Sequence, residues 1–125
     1  MKILEKKFQT LFSHWIKENA TYTFAYELKS VDTSLPFSAV EEHQILGLWN
    51  AKHNKVGKKL EDVGYQQPFD GFVLHHVPAF VGIRFGTGNA FFIDIDIFVA
   101  ESKNSARRSL TESRAQKIAS FEATL

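Results

Sequence analysis

Between Thr21 and Ser30 the hydrophobic rhythm of the chain becomes period two, and this segment constrains the fold more than any other. Tyr22, Phe24, Tyr26 and Leu28 fall on one face; Thr23, Ala25, Glu27 and Lys29 fall on the other. A strand is expected here, with a carboxylate and an ammonium side by side on one of its faces. If helices cover that face, both charges need partners, because an unpaired buried charge is expensive. On a solvent-facing edge the same two residues form an ordinary surface ion pair.

Helical rhythm precedes the strand. Leu4, Phe8, Leu11, Phe12, Trp15 and Ile16 recur at three- and four-residue spacing from about Lys2 to Glu18. Beyond the strand, Asp32 to Pro36 has turn chemistry, and Ser38 followed by Glu41 predicts a capping box that opens a helix to His53. Asn54 to Pro68 reads as a long loop, and loops of that length in small domains are more often functional or mobile than incidental. Two apolar runs, Phe69–Leu74 and Ala79–Phe85, predict a strand pair. A Gly86–Asn89 turn then leads into an alternating strand, Ala90–Ile97. A short helix after Asp96, and a terminal helix capped by Ser109 with Glu112, complete the reading. The expected fold class is α/β (α+β): a small mixed β-sheet flanked by helices, with residues 1–125 as one domain.

Composition bounds the chemistry. Fifteen Lys and Arg against fourteen Asp and Glu leave a net charge of +1, so any nucleic-acid surface must be a segregated patch. The absence of cysteine excludes disulfides, thiolate metal sites and cysteine nucleophiles. The opening MKILEKKF interrupts its apolar residues with charge too early for a signal peptide, and no run approaches a membrane span. A cytoplasmic protein without membrane contact is the expectation.

Several polar residues stand where the pattern expects apolar ones. At about 100° per residue Glu5 lies between Phe12 and Ile16 on the helical wheel. It serves either the positive helix end or a site beneath the helix. Gln44 shares a helical face with Val40, Leu48 and Ala51, and an amide there needs hydrogen-bond partners. Asp70, in Pro68-Phe69-Asp70, is either a turn aspartate or a metal ligand presented at a sheet end. Asp94 and Asp96 alternate with isoleucines and fit an exposed strand face, with Asp96 also a candidate N-cap. Lys52, Lys55, Lys58 and Lys59 cluster at the end of the second helix and beyond, as a solvated loop or a phosphate-binding patch. Arg107 and Arg108 carry the same ambiguity near a later helix start.

The run FAYELKSVDTSLPFSAVEEHQI joins Glu27-Leu28-Lys29 on a strand to a Pro-Phe turn and a helix with His43-Gln44-Ile45. It resembles the PD-(D/E)XK nuclease superfamily, nearest to RecU-type Holliday junction resolvases and short phage proteins related to them. The likeness spans roughly Phe24 to Ile95 and implies a restriction-endonuclease-like core. It further implies a Mg2+- or Mn2+-dependent endonuclease that hydrolyses branched DNA as a homodimer. Glu27 would bind the metal with a contribution from the Leu28 carbonyl, Lys29 would orient the attacking water or stabilise developing charge, Glu5 would be an additional acid, and Gln44 would pack near the site or touch DNA. The superfamily aspartate normally precedes Glu-x-Lys, yet no aspartate precedes Asp32. Asp70 is the candidate to supply that carboxylate from a later strand. A linear-duplex repair or restriction-type nuclease, and an inactive nuclease-like DNA-binding or interaction module, are the alternatives.

Overall fold

The structure is a computed structural model and describes residues 2–19, 24–59, 71–104 and 106–125. It is an α+β fold whose centre is a mixed four-stranded sheet. Helix α1 (Glu5–Asn19) precedes strand β1 (Ala25–Ser30). A short strand β2 (Ser34–Pro36) and a 3-10 turn (Phe37–Ala39) lead to helix α2 (Glu42–His53). Strands β3 (Lys55–Lys59), β4 (Gly71–His75), β5 (Ala79–Arg84) and β6 (Asn89–Asp94) follow. Helix α3 (Ile95–Asn104), β7 (Ser109–Thr111), α4 (Glu112–Ile118) and β8 (Phe121–Thr124) end the chain. Among the described residues no helix is long and apolar enough to cross a membrane.

The central sheet runs β1-β5-β6-β8, with β1 and β5 parallel and the remaining pairs antiparallel. Its two faces are buried separately, as alternation along each strand requires. On one face Val81, Ile83, Phe91 and Ile93 join Leu48, Ile95, Phe98, Leu110 and Ala115 in a core under α2, α3 and α4. On the other, Phe80, Ala90 and Phe92 meet Phe8 and Phe12 of α1. Here aromatic rings supply most of the packing: Phe12 stacks on Phe92 at 4.5 Å, and Phe92 on Phe121 at 4.6 Å. Residue 82 has to be small to admit this stack. A Cβ at Gly82 would stand 2.4 Å from Phe92 Cε1 and 2.9 Å from Leu28 Cδ2.

Several expectations are corrected. Helix α1 starts at Glu5, not Lys2. The stretch from Asn54 is not loop throughout, because β3 pairs antiparallel with β4, Lys55 opposite His75 and Lys59 opposite Gly71. Consequently β4 and β5 are not a pair. His76 adopts a positive φ of 52°, and the Val77 amide donates to the Ala51 carbonyl at the end of α2, which turns the chain away before β5 joins β1. Helix α2 opens three residues later than the Ser38 cap predicts. Val40 is extended and buried, so Glu41 becomes the N-cap and Gln44 its capping-box partner. Residues Ser34–Pro36 of the expected turn pair with β7 as a ribbon. Strand β6 stops at Asp94, whose Oδ1 accepts the Asp96 amide, so Asp94 caps α3 in place of Asp96. Thr111, not Ser109, caps α4 by accepting the Arg114 amide. The closing strand β8 was not expected.

The packing around residue 82 can be tested directly. Gly82→Ala should lower unfolding stability by about 1–3 kcal/mol, the usual range for overpacking. Chemical denaturation at unchanged m-value checks it.

Candidate functional site

Among the described residues β1 is an edge strand, and that position brings the candidate residues together. Its Ala25 and Val31 amides donate to Pro78 and Arg84 carbonyls on the β5 side. By strand alternation the main-chain groups of Tyr26, Leu28 and Ser30 therefore point away from β5. Tyr26 packs with the α1 core and Ala25 with the α2 core, so Glu27 springs from the α2 side of the strand. At the edge the two sides meet. A cleft of about 240 Å3 is lined by Glu5, Lys6 and Gln9 of α1 together with Tyr26, Glu27 and Leu28 of β1. The structure thus unites Glu5 of α1 with Glu27 and Leu28, which come from opposite faces of β1.

Glu27 is fixed from two directions. Gln44 Nε2 donates to Glu27 Oε1 at 2.9 Å, while Gln44 Oε1 accepts the Glu41 amide at 2.9 Å. One amide thereby satisfies the start of α2 and orients the strand carboxylate, which accounts for its place on the helix's inner face. Lys29 Nζ stands 3.9 Å from Glu27 Oε1. With its side chain only 13% exposed against 32% for Glu27, Lys29 is the more enclosed of the two. Burial pushes the Glu27 carboxyl above its ordinary range; Lys29 opposes that rise, and Glu5 adds to it. His43 and Glu41, 3.2 Å apart on the exposed start of α2, act on Glu27 in opposite senses from further out. Sequence reasoning missed these two, although the Glu41-Glu42-His43 run just before Gln44 marks them.

Asp70 lies outside the described residues. Lys55, Lys58 and Lys59 have described backbone in β3, but their side chains also lie outside what is described. Lys52 is not a free cation. Its Nζ donates to both Asp94 oxygens at 2.8 Å and also to Asp96 Oδ2. His53 Nε2 approaches Asp96 Oδ1 at 2.7 Å. This ties the end of α2 to the junction of β6 and α3, with the Lys52 ammonium engaged by two aspartates. Asp94 and Asp96 are likewise the partners of that lysine, not a bare exposed face. The signal in the sequence was the Asp-x-Asp spacing at a strand end, which presents two acids to one cation.

Among the described residues no group of three or more His, Cys, Asp or Glu side chains is placed to hold a metal ion. The β1 edge instead offers two carboxylates and a main-chain carbonyl. That set suits a hard cation such as Mg2+, which keeps several waters and takes one or two carboxylates. The half-buried Glu27, beside Glu5, is the kind of charge such an ion would relieve.

The Lys52 network has a pH signature. Burial works against the Asp96 charge, but hydrogen bonds from Lys52 and His53 outweigh it and hold the carboxyl below the ordinary aspartate range. A depressed carboxyl stabilises the fold above its unfolded pKa and loses that contribution as pH falls through the folded one. Asp96→Asn should therefore cost about 0.5–1 kcal/mol at neutral pH, solvent screening included. In strong acid its thermal melt should converge with that of the parent. Lys52→Ala should cost about 1–2 kcal/mol at neutral pH, since two half-buried carboxylates lose their shared donor.

No family model, no curated protein and no solved structure matches this chain, so its functional reading rests on its own residues.

Proposed function

We propose that the chain is a divalent-metal-dependent DNA endonuclease of the PD-(D/E)XK type that resolves branched DNA. The observation that carries this reading is the Glu27 carboxylate at the open edge of β1. It is oriented by Gln44, neighboured by Lys29 and shares a cleft with Glu5. Glu27 and the Leu28 carbonyl would hold the ion, with Glu5 as the second carboxylate. When bound, Mg2+ or Mn2+ supplies Lewis acidity at a phosphate oxygen and a nucleophile competent near neutral pH. Lys29 is the enclosed cation beside the reacting position: it orients the attacking water and offsets developing negative charge. Gln44 is a positioning residue, since it acts through Glu27. Symmetric cutting of two strands needs two such sites, which a two-fold homodimer supplies.

Two measurements test this. On synthetic four-way junctions and matched linear duplexes with Mg2+ or Mn2+, the parent protein should cut the junction. Glu27→Ala and Lys29→Ala should each lose about a hundredfold or more in rate. Absence of metal-dependent cutting, or cutting that survives Glu27→Ala, would overturn the proposal; preference for the linear duplex would move it to a repair-type nuclease. Independently, Mn2+ should raise the melting temperature of the parent protein by mass action but leave Glu27→Gln unmoved.

A further inference from the structure

The near-neutral chain carries its cations unevenly. Two of them are already engaged near acids, Lys29 by Glu27 and Lys52 by Asp94 and Asp96. A different concentration lies across the fold, where the end of α3, β7 and α4 meet the 3-10 turn before α2. Two openings of about 380 and 580 Å3 share Ala106 and Arg107 as a common wall. Arg114 and Lys117 line the first, and Arg108 lines the second. Against these four cations the described lining holds one carboxylate, Glu101. Its charge is already engaged: Arg114 donates to it through Nε at 2.7 Å and Nη2 at 3.1 Å. Arg107, Arg108 and Lys117 are all exposed on these walls.

The chemistry of the walls narrows the ligand. Guanidinium groups match phosphate oxygens with paired donors, and an ammonium adds a point charge. Ser109 and Ser113 place hydroxyls on the same wall, and hydroxyls are common phosphate donors in nucleic-acid complexes. A long shallow surface with these groups fits a chain of phosphates better than one enclosed anion.

Position links the groove to the candidate site. Phe37 and Ser38 line the second opening, and Ser38 stands six residues before Gln44, which holds Glu27. Six residues span at most about 22 Å. Phosphates along one DNA strand recur every 3.4 Å or so of helix axis, so the groove lies within roughly six nucleotide steps of the α2 start.

We propose that the groove between the 3-10 turn, α3, β7 and α4 binds the phosphodiester backbone of DNA through Arg107, Arg108 and Lys117. It would hold one arm of the substrate whose cleavage is assigned to Glu27, and in that respect it rests on the nuclease reading. Contacts of this kind fix register without reading sequence, so they should serve junction and duplex alike.

The experiment is fluorescence anisotropy with labelled four-way junction and linear duplex in EDTA, across a range of salt. The parent protein is compared with Arg107→Ala/Arg108→Ala, Lys117→Ala and, as a control on α3 outside the groove, Lys103→Ala. The slope of log affinity against log salt should fall by about 1 for each lost contact, hence about 2 for the double variant. Affinity at low salt should drop about tenfold or more for both DNAs, with melting temperature and the Lys103→Ala behaviour unchanged. An unchanged slope in the groove variants overturns the groove, even if Glu27-dependent cutting is present. Polyglutamate competing as well as DNA also overturns it, in favour of an acidic protein partner. A reduced slope in a protein that cuts under no divalent metal supports the groove and removes the nuclease reading alone.

Discussion

Among the described residues strand β1 has a sheet partner on one side only, and the candidate site depends on that asymmetry. Parallel pairing with β5 sets Glu27 opposite Val81 and Lys29 opposite Ile83, so these two charges rise beside a core of aliphatic side chains. A central strand would have trapped them between neighbours. At the edge, Glu27 reaches the cleft under α1 while its other side meets Gln44 of α2. The interaction that holds the arrangement is the Gln44 amide. It completes the capping box at Glu41 and bonds Glu27, so the helix start and the strand carboxylate are set by the same group. Partial burial then works against the Glu27 charge, and the neighbouring Lys29 is the nearest compensation.

Much of this was legible in the residues. Period-two alternation located β1 and its two faces correctly, and the wheel position of Glu5 brought it toward the β1 edge. Gln44 stood out because an amide among Val40, Leu48 and Ala51 has to bond to something; only the fold reveals that the partner is Glu27. Errors arose where local signals compete with tertiary ones. Ser38 and Glu41 match a capping box by spacing, yet burying Val40 in extended form moves the helix start by three residues. The apolar runs before and after His76 look like a hairpin, but one residue at positive φ sends them to different sheets. The lysines of β3 read as loop because their strand has little apolar content, and its pairing with β4 is invisible to periodicity.

Charge placement was the least legible feature. A count of cations shows nothing about which are already paired. Lys52 and Arg108 look equivalent in the sequence, each a basic residue near a helix terminus. In the fold, Lys52 is bound by two aspartates that arrive from β6 and α3, forty-two and forty-four residues away. Its function there is cohesion: the network joins α2 to the sheet's far end and keeps the inner face of α2, Leu48 and Ala51, buried.

The same economy explains how a protein with a net charge of +1 can present a basic groove at all. Acids and bases are nearly equal in number, so a positive surface arises only where acids are consumed by specific partners. Glu101 illustrates this: the Nε and Nη2 groups of Arg114 donate to it, and three further cations line the same walls. Asp94 and Asp96 do the converse, drawing Lys52 away from solvent. What distinguishes the two regions is geometry. Arg114 of α4 pairs with Glu101 of α3, while Arg107 and Arg108 lie on the exposed segment between α3 and β7. Positive potential thereby collects beside the 3-10 turn that leads into α2, whereas at the β1 edge Glu5 and Glu27 share a cleft with Lys6 and Lys29 stands beside Glu27. A phosphate brought close to the Glu27 and Glu5 oxygens themselves would still meet like charge that a bound cation would relieve, so binding to the groove and metal occupancy at Glu27 would be coupled through the substrate's own charge.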